Sequence, residues 1–324
     1  MPNLSLLIKP VSGACNLRCR YCFYLDESAH RQTACFGTMS ETPLQTLVRR
    51  AFAYADGPVS FAFQGGEPLL AGKAFYRRVL ALQKQYNTRR LPVTNALQTN
   101  GTLLDEEWAE LFAEGQFLVG ISLDGPASLH DRYRVDTAGA ATHARALQGA
   151  EILKKHGVPY NILCVVTQQI AAAPDTVFDA LAPHGYLQFI PCLDALDGQP
   201  GEFSLQPEAT VNFWCVPFDR YEDAWRSGRP VSIRAFDNWV GMLLGQPPES
   251  CGMSGRCGHY YVIEADGSVY PCDFYVLDEW RLGNINDASF FKMQIRCWEQ
   301  NFAAFRYLLP DVPAAACPYL ALPW

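Results

Sequence analysis

The chain has 324 residues, about half of them hydrophobic, and carries a formal charge of −7. That length and apolar content can bury a large core, as one large domain or two smaller ones. No segment is rich in Lys or Arg, so the electrostatic footprint of a nucleic-acid binder is missing, and no apolar run is long enough to span a bilayer.

The first apolar stretch, 4–8, lacks a basic leader and is interrupted by Lys9 and Pro10. It reads as a strand rather than a secretion signal, and a cytoplasmic protein is expected. From there to about residue 192, short apolar runs alternate with longer amphipathic stretches. Strands are predicted at 4–8, 59–63, 93–98, 118–123, 161–166 and 187–191, and helices at 43–55, 73–86, 105–113, 144–156 and 174–182. Each strand has an ordinary length and a helix-length crossover after it. Such repetition makes a parallel sheet with helices outside. Six units predict an α/β fold, a partial (β/α)6 TIM-like barrel open on one side. A doubly wound open sheet is the alternative.

The pattern changes at the Gly/Pro-containing break at 198–201. Helices are predicted at 207–226 and 235–244. The runs 260–265 and 268–270 then flank Asp266-Gly267, a dipeptide that suits a type I′ hairpin turn. The expected organisation is a core over 1–200, a helical connection over 201–245 and a small cysteine-rich domain with a β-hairpin over 246–324. No internal repeat or low-complexity tract is present.

Twelve cysteines are many for a chain of this kind. In a cytosolic enzyme, clustered cysteines bind metal or do chemistry more often than they pair. Three lie at 15–22 and three at 251–272; Cys35, Cys164, Cys192, Cys215, Cys297 and Cys317 are scattered, as small buried hydrophobes usually are. Cys15-x3-Cys19-x2-Cys22 directly follows the first strand, with Tyr21 before its last cysteine. Three thiolates on one loop can hold three irons of a four-iron cluster and leave the fourth iron to another ligand. Zinc competes, but structural zinc prefers paired ligands in a set of four, and no nearby histidine completes one; His30 is eight residues beyond Cys22.

Gly65-Gly66-Glu67-Pro68 follows the second strand, where glycine lets backbone approach a ligand closely. Ser122 and Asp124-Gly125 end the fourth strand, where polar groups can reach a ribose. Taken singly, each is also an ordinary strand-end turn. All of these features fall at the C-terminal ends of predicted parallel strands, the edge at which barrels and open sheets bind ligands.

The cysteine spacing with its aromatic matches the radical S-adenosylmethionine superfamily, and the likeness goes further. KPVSGACNLRCRYCFYLDE, FQGGEPLL, LQTNGTLL, ISLDGP with His130-Asp131-x-x-Arg134, LQFIPCLD and VYPCDFYVLDEWRLGNI together resemble the anaerobic sulfatase-maturating enzymes, from residue 5 to about 320. The resemblance implies a 4Fe-4S cluster on Cys15, Cys19 and Cys22 that donates an electron to S-adenosyl-L-methionine. The resulting 5′-deoxyadenosyl radical takes a hydrogen from the β-carbon of a Cys or Ser in a sulfatase peptide, and loss of a second electron and a proton leads to formylglycine. Implied contacts of S-adenosylmethionine are Tyr21, Gly66, Ser122, Arg134 and Leu193, with Gly65, Glu67 and Asp124 beside them and Arg134 suited to pair with the carboxylate. Asp273 is implied as the general base. Tyr24, Gln64 and Gln98 are candidates for lining the substrate cleft, where ordinary packing near strand ends is an equal reading. An electron donor such as a flavodoxin or ferredoxin is the implied redox partner.

Cys251-x5-Cys257-x14-Cys272 resembles the start of the family's auxiliary-cluster (SPASM/twitch-like) domain, with the hairpin returning Cys272 to the other two. The family continues with a further cysteine-rich run. Here Cys317-Pro318-Tyr319 matches one position of it, while Ala314 and Pro323 stand where flanking cysteines are expected. One auxiliary Fe–S cluster is therefore expected rather than two. Its fourth ligand is Cys317, Cys297 or none, or the cluster is lost. A natural short form and a truncated sequence both account for this. Two other functions stay open: a radical enzyme acting on a different peptide, and an inactive relative that binds S-adenosylmethionine, a cluster or a partner. Asp273 and the PCDFYVLDEW stretch favour sulfatase maturation.

Overall fold

The computed structural model describes residues 3–249, 253 and 260–296. β1 (Leu4–Ile8) leads through the cysteine loop into α1 (Phe23–Ala29) and α2 (Glu41–Tyr54). β2 (Val59–Phe63) is followed by α3 (Lys73–Tyr86), β3 (Val93–Thr99) by α4 (Glu106–Glu114), and β4 (Phe117–Ser122) by α5 (Ala127–Tyr133) and α6 (His143–Lys155). β5 (Tyr160–Val166) precedes α7 (Gln168–Ala171) and α8 (Pro174–Leu181); β6 (Tyr186–Pro191) precedes α9 (Pro207–Arg226). Then come β7 (Ser232–Ile233), α10 (Arg234–Leu243), β8 (Tyr260–Ile263), β9 (Ser268–Tyr270) and β10 (Gly283–Asn284).

These strands form one sheet in the order β10-β9-β8-β1-β2-β3-β4-β5-β6-β7. Every pairing from β8 to β7 is parallel, and β9 and β10 run antiparallel to their neighbours. β1 to β6 lie side by side in chain order. A doubly wound sheet reverses its order at a switch point, so that alternative is excluded and the open barrel remains. β1 and β6 do not close on each other. The outer edge of β1 takes β8 instead, and that of β6 takes β7.

Alternation along each strand divides its side chains between two faces. Leu4, Leu6 and Ile8 of β1, Val59, Phe61 and Phe63 of β2, and Phe117, Val119 and Ile121 of β4 are buried in the main core with the helices. The other face carries small, half-buried residues such as Ser60, Ala62 and Ala96. Small side chains there leave the concave face open. The helical layer is pinned by an aromatic set in which Tyr76 of α3 meets Phe63, Trp108 and Phe117 edge to face, 5.2 to 6.1 Å between centroids. Each such pair adds roughly 0.5–1.5 kcal/mol beyond its burial. α4 begins where Asp105 accepts from the Trp108 N–H at 2.9 Å, a side-chain cap that the sequence shows as an acid before an amphipathic run.

The hairpin at Asp266-Gly267 forms, with a turn other than the predicted one. Type I′ needs positive φ at both central residues. Among Ala265, Asp266 and Gly267 only Gly267 has it, at 86°. Gly267 N–H donates to the Glu264 carbonyl at 2.8 Å and Glu264 N–H to the Ser268 carbonyl at 2.9 Å. That is a three-residue loop closed by a glycine bulge. Because β8 pairs with β1, the hairpin extends the barrel sheet. Cys251, Cys257, Cys297 and Cys317 lie outside the described residues. Among the described residues, no helix is long and apolar enough to cross a membrane.

Candidate active site

The loop from β1 to α1 leaves the C-terminal edge of the sheet. Its Cys15, Cys19 and Cys22 are half-buried and in no disulfide. Burial pushes the Cys15 thiol up to about 12 and raises that of Cys19, where Arg134 pulls the other way. Such thiols give up their protons when a metal replaces them. Among the described residues, no three ligand-type side chains converge on one point as a single metal ion requires. In a cluster each thiolate binds its own iron, so the sulfurs stand apart. An all-sulfur set of three fits a four-iron cluster with one open iron better than it fits zinc.

Two strand-end loops grip this one. Glu67 N–H donates to the Ala14 carbonyl at 2.8 Å. Gly66 has φ 57°, and a Cβ on it would stand 2.2 Å from the Ala14 oxygen. Gly65, at φ 100°, leaves the space taken by the Lys9 stem, which would lie 2.8 Å from a Cβ. The Glu67 carboxylate accepts from Leu69 N–H at 3.0 Å, Thr99 Oγ1 at 2.8 Å and Asn100 N–H at 2.8 Å. Both its oxygens therefore serve protein donors. Burial still pushes this carboxyl up to about 7. Asn100 Nδ2 donates to Asn16 Oδ1 at 2.9 Å and lies 3.9 Å from Cys15 Sγ. Sequence reasoning did not single out Asn100, although the end of the third strand was its signal. Gly66→Ala is expected to force the loops apart, destabilising the protein by roughly 2–4 kcal/mol. Iron bound should fall with it; denaturant midpoints and iron analysis check both.

Asp124 gathers the opposite wall. Its Oδ2 accepts from Arg134 Nε at 2.7 Å and from the Tyr21 hydroxyl, and its Oδ1 from Val165 N–H at 3.0 Å. The Arg134 guanidinium lies 5.3 Å from the Tyr21 ring centroid, with Nη1 3.9 Å from Cys19 Sγ. Tyr21, Tyr133 and Phe203 pack edge to face at 5.1 to 6.5 Å. Burial raises the Tyr21 hydroxyl, so it remains a donor. Ser122 Oγ accepts from Gln98 Nε2 at 3.1 Å, and Gln98 fills the space that Gly120 leaves. Leu193 follows β6 at the same edge.

His130 ties this wall together from behind. Asp124 N–H donates to Nδ1 at 3.2 Å. The ring proton is therefore on Nε2, which donates to Thr142 Oγ1 at 3.0 Å, and that hydroxyl donates to the Arg134 carbonyl at 2.6 Å. Burial, with Arg134 nearby, lowers the imidazole to about 4 from 6.5. Below pH 6.5 the unfolded chain binds a proton that the folded chain refuses. Stability contributed by His130 is therefore lost as pH falls from about 6.5 to about 4, by about 3 kcal/mol in full. His130→Gln is expected to flatten that dependence, read from unfolding midpoints between about pH 5 and 7.

A second group forms where the hairpin meets the core. Tyr24 of α1 donates to Asp273 Oδ2 at 2.7 Å, and Gln64 Nε2 donates to the Tyr24 hydroxyl oxygen at 2.5 Å. Asp273 is buried, which raises its carboxyl, and its Oδ1 has no hydrogen-bond partner among the described residues. Asp273 N–H donates to the Tyr260 oxygen at 3.1 Å, and Tyr260 donates to Cys272 Sγ at 3.5 Å. A buried acceptor oxygen left unpaired beside a tyrosine and a glutamine can receive a proton. Below this group, Lys9, Glu27, Arg31 and Glu264 form a buried ionic cluster. Sequence reasoning missed it: Lys9 and Glu27 bound the cysteine motif, but nothing in that motif points to Arg31 or to Glu264, 233 residues beyond Arg31.

Comparison with known proteins covers the same parts. The Radical SAM superfamily model matches residues 10–177, and the SPASM model, an iron-sulfur cluster-binding domain, matches residues 251–317. The chain is 47% identical over 293 residues to the cysteine-type anaerobic sulfatase-maturating enzyme of Clostridium perfringens (strain 13 / Type A), across 89% of this chain and 79% of that protein. It is 34% identical over 339 residues to the serine-type enzyme of Bacteroides thetaiotaomicron, across 98% and 80%. The solved structure of native anSMEcpe with bound AdoMet and Cp18Cys peptide is similar at TM-score 0.88 and 41% identity, across 99% of this chain and 88% of that one. Streptococcus suis SuiB bound to precursor peptide SuiA shares the fold at TM-score 0.67 and 15% identity, across 98% and 70%. With matches of this identity running through both the cysteine loop and the hairpin, the chain belongs to the radical SAM superfamily and, within it, to the anaerobic sulfatase-maturating enzymes.

Proposed function

We propose that this chain is a cysteine-type maturase, a radical S-adenosylmethionine oxidoreductase that converts a Cys of a sulfatase to formylglycine. The choice of Cys over Ser rests on relatives: three cysteine-type enzymes are 45% to 47% identical and three serine-type enzymes 34% to 35%. When bound, the 4Fe-4S cluster and S-adenosylmethionine supply a hydrogen-abstracting radical.

The protein's own residues do the remaining work. Cys15, Cys19 and Cys22 would hold the cluster. Asp124 fixes Tyr21 and Arg134, and the Tyr21–Tyr133–Phe203 wall excludes water. Gly65, Gly66, Ser122 and Leu193 complete the edge that would face the cofactor, while Glu67 braces it from inside. Asp273 takes the substrate proton at Oδ1, while Tyr24 holds Oδ2 and Gln64 and Gln98 line the cleft. The buried, unpaired Oδ1 beside Tyr24 is the observation that carries this reading. Cys251, Cys257 and Cys272, with Cys317 as candidate fourth ligand, would hold one auxiliary cluster in a domain over 246–324, joined to the core 1–200 through 201–245. A flavodoxin- or ferredoxin-type donor in the cytoplasm would supply electrons.

The test is anaerobic. Reconstituted protein is assayed with a Cys-containing sulfatase peptide for iron, 5′-deoxyadenosine and formylglycine. About eight irons per chain with formylglycine supports the proposal. S-adenosylmethionine cleavage without formylglycine overturns the substrate. Faster conversion of the same peptide carrying Ser overturns the assigned type.

A further inference from the structure

The buried ionic cluster supplies no reacting group to the chemistry just described, although burial, which raises the Asp273 carboxyl, is opposed there by Lys9 and reinforced by Glu264. Lys9 Nζ lies 2.7 Å from Glu27 Oε1 and 3.6 Å from Glu264 Oε1. Arg31 Nη1 lies 2.6 Å from Glu264 Oε1 and 3.5 Å from Glu27 Oε1. All four side chains are at most 1% exposed. They come from three segments. Lys9 follows β1 and Glu264 follows β8, its parallel neighbour, with Lys9 N–H donating to the Ile263 carbonyl at 2.8 Å. Glu27 lies on α1 and Arg31 just beyond it, on the face that also carries Tyr24. That helix starts at Cys22, its N-cap.

Lys9 touches two further pieces. Its ammonium sits 4.7 Å from the Tyr24 ring centroid, and its stem runs through the space that Gly65 leaves. One side chain thus meets the hairpin, the helix after the cysteine loop and the glycine loop. Buried ion pairs contribute little net stability compared with apolar residues of the same shape, but removing one partner is severe. Their value here is in fixing one arrangement.

We infer that Lys9 is a positioning residue that locks α1 to the β8–β9 hairpin and so holds Tyr24 against Asp273 in register with the cysteine loop. This rests on the function proposed above. Without the ammonium, Glu27 and Glu264 share only Arg31, and they repel where the hairpin and helix meet. Among the described residues, the Asp124–Arg134–His130 wall shares no hydrogen bond or ion pair with this cluster and stays in place. The defect therefore falls on substrate conversion rather than on cleavage of S-adenosylmethionine.

The test uses the reconstituted full chain and the Cys peptide. Lys9→Met keeps the stem and loses the charge. 5′-Deoxyadenosine formation is expected within about 2-fold of wild type, and formylglycine per 5′-deoxyadenosine about 10-fold lower, since small misplacement at a reacting group has large effects on rate. Lys9→Met with Glu27→Gln removes the charge left alone and should recover about 3-fold or more of the ratio. Equal loss of both products, an unchanged ratio, or no recovery overturns the inference. Should Lys9→Met fail to fold, Glu264→Gln carries the same expectation. Hydrogen exchange tests the lock without turnover: amides at 23–31 and 260–276 should exchange faster together, those at 119–134 unchanged, and unaltered exchange overturns it. Wild-type protein that makes no formylglycine overturns the function instead, and exchange still decides the lock.

Discussion

Replacing Cys15, Cys19 and Cys22 together by Ala is expected to abolish reductive cleavage of S-adenosylmethionine and to remove about four irons per chain. The fold should survive. None of the three thiols is fully buried, and their hydrogen bonds are weak. Leu17 N–H reaches Cys15 Sγ at 3.3 Å, Asn100 Nδ2 reaches it at 3.9 Å, and Arg134 Nη1 reaches Cys19 Sγ at 3.9 Å. The stability lost should be about 1–2 kcal/mol. Arg134 keeps Asp124, so the wall beside the loop stays formed. Lost activity with a melting curve that stays cooperative and drops by only a few degrees then reports missing ligands rather than unfolding. Retained cleavage would remove the assignment of these three cysteines.

Asp273→Asn is expected to leave 5′-deoxyadenosine formation within about 3-fold and to lower formylglycine by about 10²- to 10³-fold, the range of a lost general base. The geometry makes this substitution informative. Asn can keep its oxygen at Oδ2, where Tyr24 donates at 2.7 Å. Its NH2 group then occupies the position of Oδ1. Shape and the Tyr24 contact persist, while the acceptor becomes a donor that cannot take a proton. Measuring both products in one reaction separates the outcomes. An equal fall in both would mean that Asp273 supports the structure rather than receiving the substrate's proton.

The strands were legible because each shows one feature in isolation: an apolar run of ordinary length between turn residues. All six core strands and the helix after the second strand lie where periodicity puts them, to within a residue at most ends. α1 and α5 were not legible. Each has seven residues and no side-chain cap, and so short a helix depends on tertiary contacts. The cysteine loop was readable from spacing alone. Asp273 was readable only through family resemblance, because its partner Tyr24 is 249 residues away. Glu67 stands in a motif that reads as ligand-facing, yet its carboxylate is saturated by protein donors. Glu264 carries no sequence signal, and Lys9, although it opens the cysteine motif, shows nothing there of its ionic role. A buried charge looks like a surface charge until its partner is known.

The place of β8 in the sheet has a consequence for biosynthesis. β1 leaves the ribosome first, but the strand that covers its outer edge follows about 250 residues later. At translation rates of roughly 5–20 residues per second, that edge waits roughly 10–50 s with its N–H and C=O groups unpaired. Leu4, Leu6 and Ile8 make the waiting strand apolar as well. An exposed apolar edge is a template for pairing with another chain. Nascent chains therefore need either a chaperone over the first strand or low local concentration, and hosts lacking both should yield inclusion bodies rather than soluble, inactive protein.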